Sequence, residues 1–316
     1  MGSFGAVSPV MSIPVPPDEL RALLRRSDGP GLRRLAVHLG LIGATAVGVL
    51  AARGTPWLWP AMALLGLFEV LLFAPHHEAT HATPFRSRWP TRVVGIVAGF
   101  VLVLPPKAFR AFHLAHHRHA QDPERDPELA DGKTLTATRY AWRLTGIPVW
   151  MANLRELFET AAGQAERSWI SPESRPSIVR EARCYAGAYA LMVLGATLFR
   201  TTWPLTLWVG PALLGQPALR YLLLAEHTGC PRIADPWTNT RTTLASAPLR
   251  YLFWNMNYHA EHHLVAGVPF HALPRLHALV GTRFATVDRG YRAAHRGIRA
   301  AFGSRAADHL SRSKSG

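Results

Sequence analysis

Four apolar blocks dominate the 316-residue sequence and limit the folds open to it. Each block is about 16 to 23 residues long, near the roughly 20 residues with which a helix crosses the hydrocarbon layer of a membrane. Within each half of the chain, two blocks are separated only by a tight turn, RGTP in the first half and RTTW in the second. The sequence therefore predicts two transmembrane helical hairpins, with spans at residues 35–52, 57–75, 184–199 and 203–225.

The basic residues indicate how these spans are oriented. Lys and Arg number five in residues 1–34, fourteen in 82–180 and twelve in 226–316, whereas the two short turns hold only Arg53 and Arg200. Cytoplasmic loops carry an excess of Lys and Arg, so we expect both termini and the central segment in the cytoplasm. The second and fourth spans end on that side, which brings every histidine-rich motif into one compartment.

The expected fold is all-α: an integral membrane protein with four transmembrane helices and a cytoplasmic helical cap. A fifth apolar block, at residues 93–104, is too short to span and ends at two prolines. It predicts a short interfacial or re-entrant helix. We expect a disordered, proline-rich segment at residues 1–30, a single membrane domain at 31–300 and a loose tail at 301–316.

Histidine is frequent, with sixteen residues, and most of them fall into short motifs. HHEATH follows the second apolar block, the spacing H-x-x-H-H occurs in both HLAHH and HAEHH, and the lone His227 ends the fourth block in AEHTGC. Positions i, i+3 and i+4 of a helix lie on one face, so each motif aims several imidazoles at one point. The pattern predicts a metal centre in the cytoplasmic cap.

The motif HEATH, at residues 77–81, also matches H-E-x-x-H, the zinc signature of metalloproteases. A zinc protease needs three protein ligands and a glutamate base, and it would leave both H-x-x-H-H motifs unexplained. The chain has only two cysteines, Cys184 and Cys230, and an imidazole-rich set suits two iron ions with positions open for dioxygen. The protease stays as the alternative of another class. No function is assigned to the remaining histidines, His38, His271, His277, His295 and His309.

In combination, the motifs resemble the three histidine boxes of the membrane fatty acid desaturase and hydroxylase superfamily. Those boxes read H-x(3,4)-H, H-x(2,3)-H-H and H-x(2,3)-H-H after paired transmembrane helices, and here they stand as HEATH, HLAHH and HAEHH. The stretches DPERDPEL, AEHTGC and NYHAEHH are similar to bacterial members, including those that act on small amino-acid-derived molecules. They are also similar to carotenoid ketolases and sphingolipid desaturases. The resemblance extends over residues 35–280.

The resemblance implies nine iron ligands at the matching positions: His77, His81, His113, His116, His117, His227, His259, His262 and His263. His76 and His119 are spare histidines beside the boxes, and either can replace or support a ligand. Carboxylates next to the boxes are expected to orient the ligands through their second ring nitrogen; the candidates are Glu78, Glu226, Glu261, Asp122 and Asp126. Some relatives have an asparagine one turn before the lone histidine that holds a metal-bound water. Leu223 stands at that position here, and the candidate replacements are Asn255 and Asn257. For Asp122 and Asp126 the alternative is a solvated loop acid.

The resemblance further implies an oxygen-dependent di-iron oxidoreductase that desaturates an acyl lipid or another apolar or small aliphatic substrate. A hydroxylase or ketolase of the same superfamily, acting on a lipid or a carotenoid, is the alternative. Electrons must come from a separate donor such as a ferredoxin with its reductase, because the chain has no haem, flavin or iron–sulfur motif. The net charge of +15 comes from scattered basic residues without a recognition motif, so no nucleic acid is expected as a partner. The expected location is a bacterial inner membrane.

Overall fold

The structure is a computed structural model, and it describes residues 13–129 and 135–302. Its regular structure is almost entirely helical. The helices are α1 (Pro17–Leu23), α2 (Asp28–Ala51), α3 (Leu58–Leu71), α4 (Phe73–His81), α5 (Arg88–Leu102), α6 (Pro106–His119), α7 (Ala137–Leu144), α8 (Ile147–Ala161), α9 (Arg175–Leu198), α10 (Gly210–His227), α11 (Ala247–Leu252), α12 (His259–Leu264), α13 (Leu273–Val280) and α14 (Tyr291–Ala300). The other elements are 3₁₀ turns at Pro127–Leu129 and Gly281–Arg283, a π turn at Leu205–Val209, and the short parallel strands β1 (Thr242–Thr243) and β2 (Val287–Asp288).

Two helical stretches are long and apolar enough to cross a membrane, Pro17–Ala51 and Leu58–His81. They contain the first two predicted spans almost completely. A third crossing results if α5 and α6, which meet at an angle of 93°, are counted as one broken span. The described part of the chain therefore has two or three apolar spans, within a fold that is helical as predicted.

The third and fourth predicted spans are helices that are less apolar than the first two. α9 covers nearly all of residues 184–199, but the first half of this helix carries four charged residues. The π turn and α10 together cover residues 205–227, nearly all of the predicted span at 203–225, and α10 contains Gln216, Pro217 and Arg220. Because of these polar residues, α9 and α10 do not meet the length and hydropathy criteria for a span that α2 and α3–α4 meet.

The bend between α5 and α6 carries the second histidine box to the site. Val103 has a left-handed backbone conformation, with φ +56°, and ends α5. Pro105 and Pro106 lack the N–H group that would continue the helix, and α6 starts at Pro106, a favourable first position. The short helix predicted at 93–104 is therefore present, but it begins earlier, at Arg88, ends at Leu102 and is 15 residues long.

Close contact between α3 and α10 positions the first histidine box relative to the lone histidine. A Cβ atom on Gly66 would lie 1.7 Å from the carbonyl oxygen of Pro211, and one on Gly215 would lie 2.2 Å from that of Gly66. Small residues allow helix backbones to approach in this way. Because α4 directly follows α3 and His227 ends α10, this contact fixes the two ends beside each other.

The structure differs from the expected disorder in residues 13–30. This segment contains α1, and α2 begins at Asp28. Leu23 is fully buried in a cluster with Leu273 of α13, so a distant helix stabilises a segment whose local composition predicted disorder. The rest of the predicted disordered segment and nearly all of the predicted tail lie outside the described residues, at 1–12 and 303–316.

Candidate metal centre

Three helices bring five histidines to one point. α4 presents His77 and His81, α6 presents His113 and His117, and α12 presents His262. In the first two helices the pair has i, i+4 spacing, which places both rings on one face. One ring nitrogen from each of the five residues lies within 4.8 Å of the others. We name this group the five-histidine cluster.

A second group of histidines lies beside the first. His116 of α6, His227 at the end of α10 and His263 of α12 have ring nitrogens within 4.8 Å of one another. His259, at the start of α12, joins them through His227, since their Nε2 atoms are 3.1 Å apart. We name these four residues the four-histidine cluster. The rings of His117 and His263 stack with centroids 4.0 Å apart, so the two clusters are in contact.

The two H-x-x-H-H motifs divide their histidines between the clusters in opposite ways. α6 gives its i, i+4 pair to the five-histidine cluster and its middle histidine, His116, to the four-histidine cluster. α12 gives its middle histidine, His262, to the five-histidine cluster, while His259 and His263 belong to the other. The structure thus brings together all nine histidines singled out in the sequence. The spacing of the histidines did not predict which of them belong to which cluster.

Hydrogen bonds cannot account for the contacts inside the four-histidine cluster. Nε2 of His227 lies 3.2 Å from Nε2 of His116, 3.1 Å from that of His259 and 3.2 Å from that of His263. An imidazole nitrogen carries either one hydrogen or one lone pair, so it serves one hydrogen bond and not three. A metal ion, in contrast, accepts a lone pair from every nitrogen around it. Nitrogens bound at about 2.1 Å to one ion lie about 3.0 to 3.4 Å apart, which agrees with these separations.

The five-histidine cluster shows the same pattern. Nε2 of His113 lies 2.9 Å from that of His81 and 3.0 Å from that of His117, which in turn lies 3.1 Å from that of His262. Both ring nitrogens of His77 are buried without a hydrogen-bond partner. Buried polar atoms without partners need an explanation, and a bound ion is one. A set of imidazoles without thiolates fits iron among the metals that accept nitrogen ligands.

Asp126 orients one of the clustered histidines. Its carboxylate, 2% exposed, accepts a hydrogen bond from Nδ1 of His116 at 2.9 Å and another from the backbone N–H of Gln121 at 2.8 Å. Burial raises the pKa of Asp126, but these hydrogen bonds outweigh burial and leave its pKa below the ordinary value. An ionised carboxylate in this position fixes the ring of a metal ligand. Asp122 instead binds Arg125 within its own turn.

The short helix α12 is held by Glu261, which is fully buried. Its two oxygens accept hydrogen bonds from the hydroxyl of Thr242 in β1 and from Nδ1 of His277 in α13, both at 2.5 Å. Glu261 therefore orients the helix that carries His262, not a clustered ring directly. No sequence motif marks His277; the one signal in the sequence is a polar side chain on the apolar face of α13.

Main-chain groups orient His227. Its Nδ1 donates to the carbonyl oxygen of Asn239 at 3.2 Å, and the side chain of Asn239 in turn donates to the carbonyl oxygen of Ala120 at 3.0 Å. Nothing in the sequence pattern points to Asn239, because His227 donates to its backbone carbonyl oxygen, a group that every residue has. The loop after α10 thus links the lone histidine to the end of α6.

The two spare histidines lie outside both clusters. His76 donates from Nδ1 to the carbonyl oxygen of Gly95 at 3.1 Å and lies against the ring of Phe109, with centroids 5.0 Å apart. His77, rather than His76, therefore occupies the first-box position in the cluster. His119 is half-buried and belongs to neither group.

Glu78 links α4 to a later segment of the chain. Its Oε2 accepts hydrogen bonds from the hydroxyl of Thr83 at 2.7 Å and from the backbone N–H of Phe270 at 3.1 Å. These contacts hold the carboxylate in a structural position. They disfavour the protease interpretation of HEATH, in which Glu78 would have to act as the general base beside one metal ion.

The remaining polar candidates fall into two groups. Glu226 has Oε1 3.5 Å from Nδ1 of His259, but neither atom makes a hydrogen bond. Asn255 and Asn257 donate their side-chain amides to backbone carbonyl oxygens, at 2.9 and 3.0 Å. In the described part of the chain no hydrogen bond joins either asparagine to a clustered histidine, so their observed role is to shape the loop before α12.

The surroundings keep the imidazoles of α12 neutral. Burial, reinforced by repulsion from neighbouring imidazoles, holds the pKa values of His259, His262 and His263 well below the ordinary value. Metal ions bind the neutral form of imidazole. This helix therefore presents its three rings in the protonation state that a metal centre requires.

A cavity of about 380 Å³ is lined by residues that contact the two clusters. Phe109 lines it, and its ring stacks on that of His113 in the five-histidine cluster, with centroids 5.3 Å apart. Glu128 also lines the cavity, and its Oε2 lies 3.7 Å from Nδ1 of His116 in the four-histidine cluster. One side chain therefore separates the cavity from each group of histidines, Phe109 on the side of His113 and Glu128 on the side of His116.

Comparison with known proteins identifies related sequences over most of the chain. A family model described as fatty acid desaturase matches residues 54–295, which include both clusters. The dihydrorhizobitoxine desaturase of Bradyrhizobium elkanii is 28% identical over 271 residues, with 78% of this chain and 74% of the relative aligned. An sn-1 oleoyl-lipid 12-desaturase of Picosynechococcus sp. is 25% identical over 250 residues, with 71% and 70% aligned. The endoplasmic reticulum omega-3 fatty acid desaturase of Nicotiana tabacum is 22% identical over 254 residues, with 73% and 66% aligned.

Proposed function

Because this chain belongs to the fatty acid desaturase family, we propose that it is a membrane-bound, oxygen-dependent di-iron oxidoreductase that introduces a double bond into an aliphatic substrate. The observation that carries this proposal is the environment of His227, whose Nε2 atom lies within 3.2 Å of three other Nε2 atoms. Hydrogen bonds cannot satisfy that arrangement, whereas a metal ion can.

We assign one iron ion to each cluster. The five-histidine cluster would hold the first and the four-histidine cluster the second, so that all nine candidate ligands would be used. When bound, the two iron ions supply the activation of dioxygen and the removal of hydrogen from an unactivated C–H bond. The ions themselves depend on the protein for ligand orientation, which outer contacts such as that of Asp126 provide.

The residues around the centre have distinct tasks in this proposal. Asp126 orients His116 through its Nδ1 atom, and Glu226 lies 3.5 Å from that of His259. Phe109 covers one side of His113 and forms part of the cavity wall, so it limits the access of water from that side. The cavity holds the substrate at a set distance from the ligands, and such positioning is a main contribution of a protein to cofactor chemistry.

For the substrate we propose an acyl lipid or another small, largely apolar aliphatic molecule. Two of the relatives are named as lipid or fatty acid desaturases, and a third is named for a different compound, dihydrorhizobitoxine. A substrate of this kind reaches a membrane enzyme through the lipid phase. The cavity beside the clusters is the site at which it would bind.

Electrons would come from a separate carrier such as a ferredoxin with its reductase. A cleft of about 890 Å³ near the end of α4 is strongly basic and supports an acidic carrier. Its charged lining residues are Arg26, Arg86, Arg88, Arg92, Lys107, Arg110 and one acid, Glu181. Complementary charge accelerates association and is screened by salt, so turnover with an acidic carrier should fall as ionic strength rises.

We further propose four spans in two hairpins, with both termini and the metal centre on the cytoplasmic side of a bacterial inner membrane. The distribution of Lys and Arg supports this orientation. Large apolar side chains on α9 and directly after it face outward: Leu191, Leu198 and Phe199 are 69%, 69% and 81% exposed. Contiguous exposed apolar surface of this kind needs a cover, which lipid would supply. A cytoplasmic reporter fused to the C-terminus should therefore be active.

The proposal is tested by product analysis with purified, iron-loaded protein, a ferredoxin system and oxygen, with membrane lipid and free aliphatic acids supplied in separate reactions. A product that has lost a pair of hydrogens supports the desaturase, whereas a product that has gained oxygen supports the hydroxylase or ketolase. Activity should disappear in His262→Ala and persist in the control His271→Ala, whose imidazole lies outside both clusters. Peptide cleavage with bound zinc, unaffected by His262→Ala, would favour the protease instead.

A further inference from the structure

The cavity beside the clusters is more polar than an acyl chain requires. Ligand sites are mostly apolar and contain a few polar groups that fix the orientation of the ligand. Six polar residues line this cavity: Glu128, Asn153, Glu156, Thr160, Gln216 and Arg220. The polar groups that have no partner inside the protein are the ones available to a substrate.

Three of the six are already engaged by the protein. Glu156 accepts hydrogen bonds from Arg167 at 3.0 Å and from the hydroxyl of Thr160 at 3.4 Å. Asn153 donates to the carbonyl oxygen of Leu102 at 3.4 Å. The polar groups of these three residues are thus satisfied by other groups of the protein and need no ligand.

Arg220 has no such partner. Its Nε atom is buried, and no hydrogen bond or ion pair joins its guanidinium group to any residue in the ranges 13–129 and 135–302. Arg241 shows the contrasting case, because it pairs with Asp288 at 2.9 Å and donates to the carbonyl oxygen of Thr228. Arg220 is half-buried, and a charge that is shielded from water without a partner is unfavourable. Its presence on the wall of a cavity indicates an anionic ligand.

Gln216 strengthens the case from the preceding turn of α10. It is 3% exposed, and its Oε1 atom has no hydrogen-bond partner. Positions 216, 220, 223 and 227 follow i, i+3 and i+4 spacing, so one face of α10 leads from Gln216 through Arg220 to His227. Arg220 is seven residues from His227, about 10 Å along the helix axis. A small molecule bound at Arg220 is long enough to extend over this distance.

We propose that the substrate carries a free carboxylate bound by Arg220, and that it is a small aliphatic carboxylic acid and not an acyl group esterified in a lipid. This inference rests on the proposed function and narrows its substrate class. A guanidinium group binds a carboxylate through two parallel hydrogen bonds, whereas an ester has no charge to offer. The cavity of about 380 Å³ is near the lower end of the range for ligand pockets, about 300 to 1,000 Å³.

A structural role for Arg220 makes the opposite prediction about stability. Glu128 and Glu226 attract its charge from beyond ion-pair distance, so Arg220 would in that case balance the acids around the four-histidine cluster. Its removal would then lower both the melting temperature and the iron content. If Arg220 instead serves the ligand, removing an unpaired charge leaves the melting temperature unchanged or raises it.

The test compares octanoate with methyl octanoate, which has the same chain without the charge. Both are titrated by calorimetry into iron-loaded, detergent-purified full-length protein: wild type, Arg220→Gln, Arg220→Lys and the control Arg232→Gln. Arg232 is exposed and outside the cavity. Wild type and the control should bind octanoate at least about tenfold more tightly than the ester. Arg220→Gln should lose this preference at unchanged iron content, and Arg220→Lys should keep part of it.

Three results would overturn the proposal: no preference of wild type for octanoate, a preference that survives Arg220→Gln, or a fall in melting temperature and iron content in that variant. None of these results would contradict the proposed function, because they concern only how the cavity recognises its ligand. The di-iron proposal would instead fail if wild type held no iron or consumed no oxygen with a reductant. The two failures are therefore distinguishable in the same protein preparations.

Discussion

The two H-x-x-H-H motifs have the same spacing but are held in place by different parts of the molecule. HLAHH lies in α6, a helix of 14 residues, and its middle histidine is oriented by Asp126, ten positions along the chain. HAEHH lies in α12, a helix of six residues, and its Glu261 is held by Thr242 and His277 from two other elements. One motif is supported locally and the other by tertiary structure.

This difference separates two kinds of contribution to the site. A helix of six residues is far shorter than the roughly 12 to 15 residues at which isolated helices become marginally stable, so α12 depends on its tertiary contacts. α6 needs less help to form, and Asp126 acts on the orientation of a ring. We therefore expect changes at the supports of α12 to lower stability, and a change at Asp126 to lower metal affinity.

The largest effect on stability is expected for Glu261→Ala. The change leaves the hydroxyl of Thr242 and the ring of His277 without their buried partner, and breaking such a network lowers the free energy of unfolding by about 3 kcal/mol or more. Thermal unfolding of the iron-loaded protein measures it. Glu124→Ala, at an exposed loop position, is the control and should be nearly neutral. Equal melting temperatures for the two variants would show that α12 does not need Glu261.

Asp126→Asn tests the locally supported motif. The variant keeps the shape of the side chain but loses the charge that orients His116, and loss of an outer contact lowers metal affinity or activity about 10- to 100-fold. Iron titration and turnover measure the effect. Asp122→Asn, four residues away and bound only within its own turn, should behave as wild type. If both variants lost iron equally, the contact with His116 would not be the cause.

A smaller effect is expected for Thr242→Val. This change removes one of the two hydrogen bonds to Glu261 and leaves a buried oxygen unsatisfied, which lowers the free energy of unfolding by about 1 to 2 kcal/mol. The matched control is Thr243→Val, because the described contacts of Thr243 are made by its backbone. Denaturant unfolding of both variants gives the comparison. A control as destabilised as Thr242→Val would argue against the role assigned to Glu261.

Much of the fold and the site followed from local pattern. The apolar blocks predicted α2, α3 and α10, and the paired prolines after residue 104 predicted the end of α5. The spacing of the histidines predicted which rings could share a helix face, and all nine are now seen together. These features depend on residues close in sequence, where helix geometry alone determines which side chains are neighbours.

What could not be predicted depends on contacts between distant parts of the chain. The opposite division of the two H-x-x-H-H motifs is set by how α6 and α12 face each other across the clusters. His277 binds Glu261 because α13 packs beside α12. α1 is stabilised because Leu23 packs against Leu273 of α13. Nothing in the sequence distinguishes Arg220 from the other basic residues, because only the fold places it on the wall of the cavity without a partner.

The most direct test of the account is the metal content of detergent-purified protein, measured beside His262→Ala and the control His271→Ala. The account predicts about two iron ions per chain, a sharp loss in His262→Ala and no change in the control. Should zinc alone bind in overexpressed protein, reconstitution with iron followed by an activity measurement decides which metal is native. A single zinc ion, unaffected by His262→Ala, would contradict the two-cluster centre.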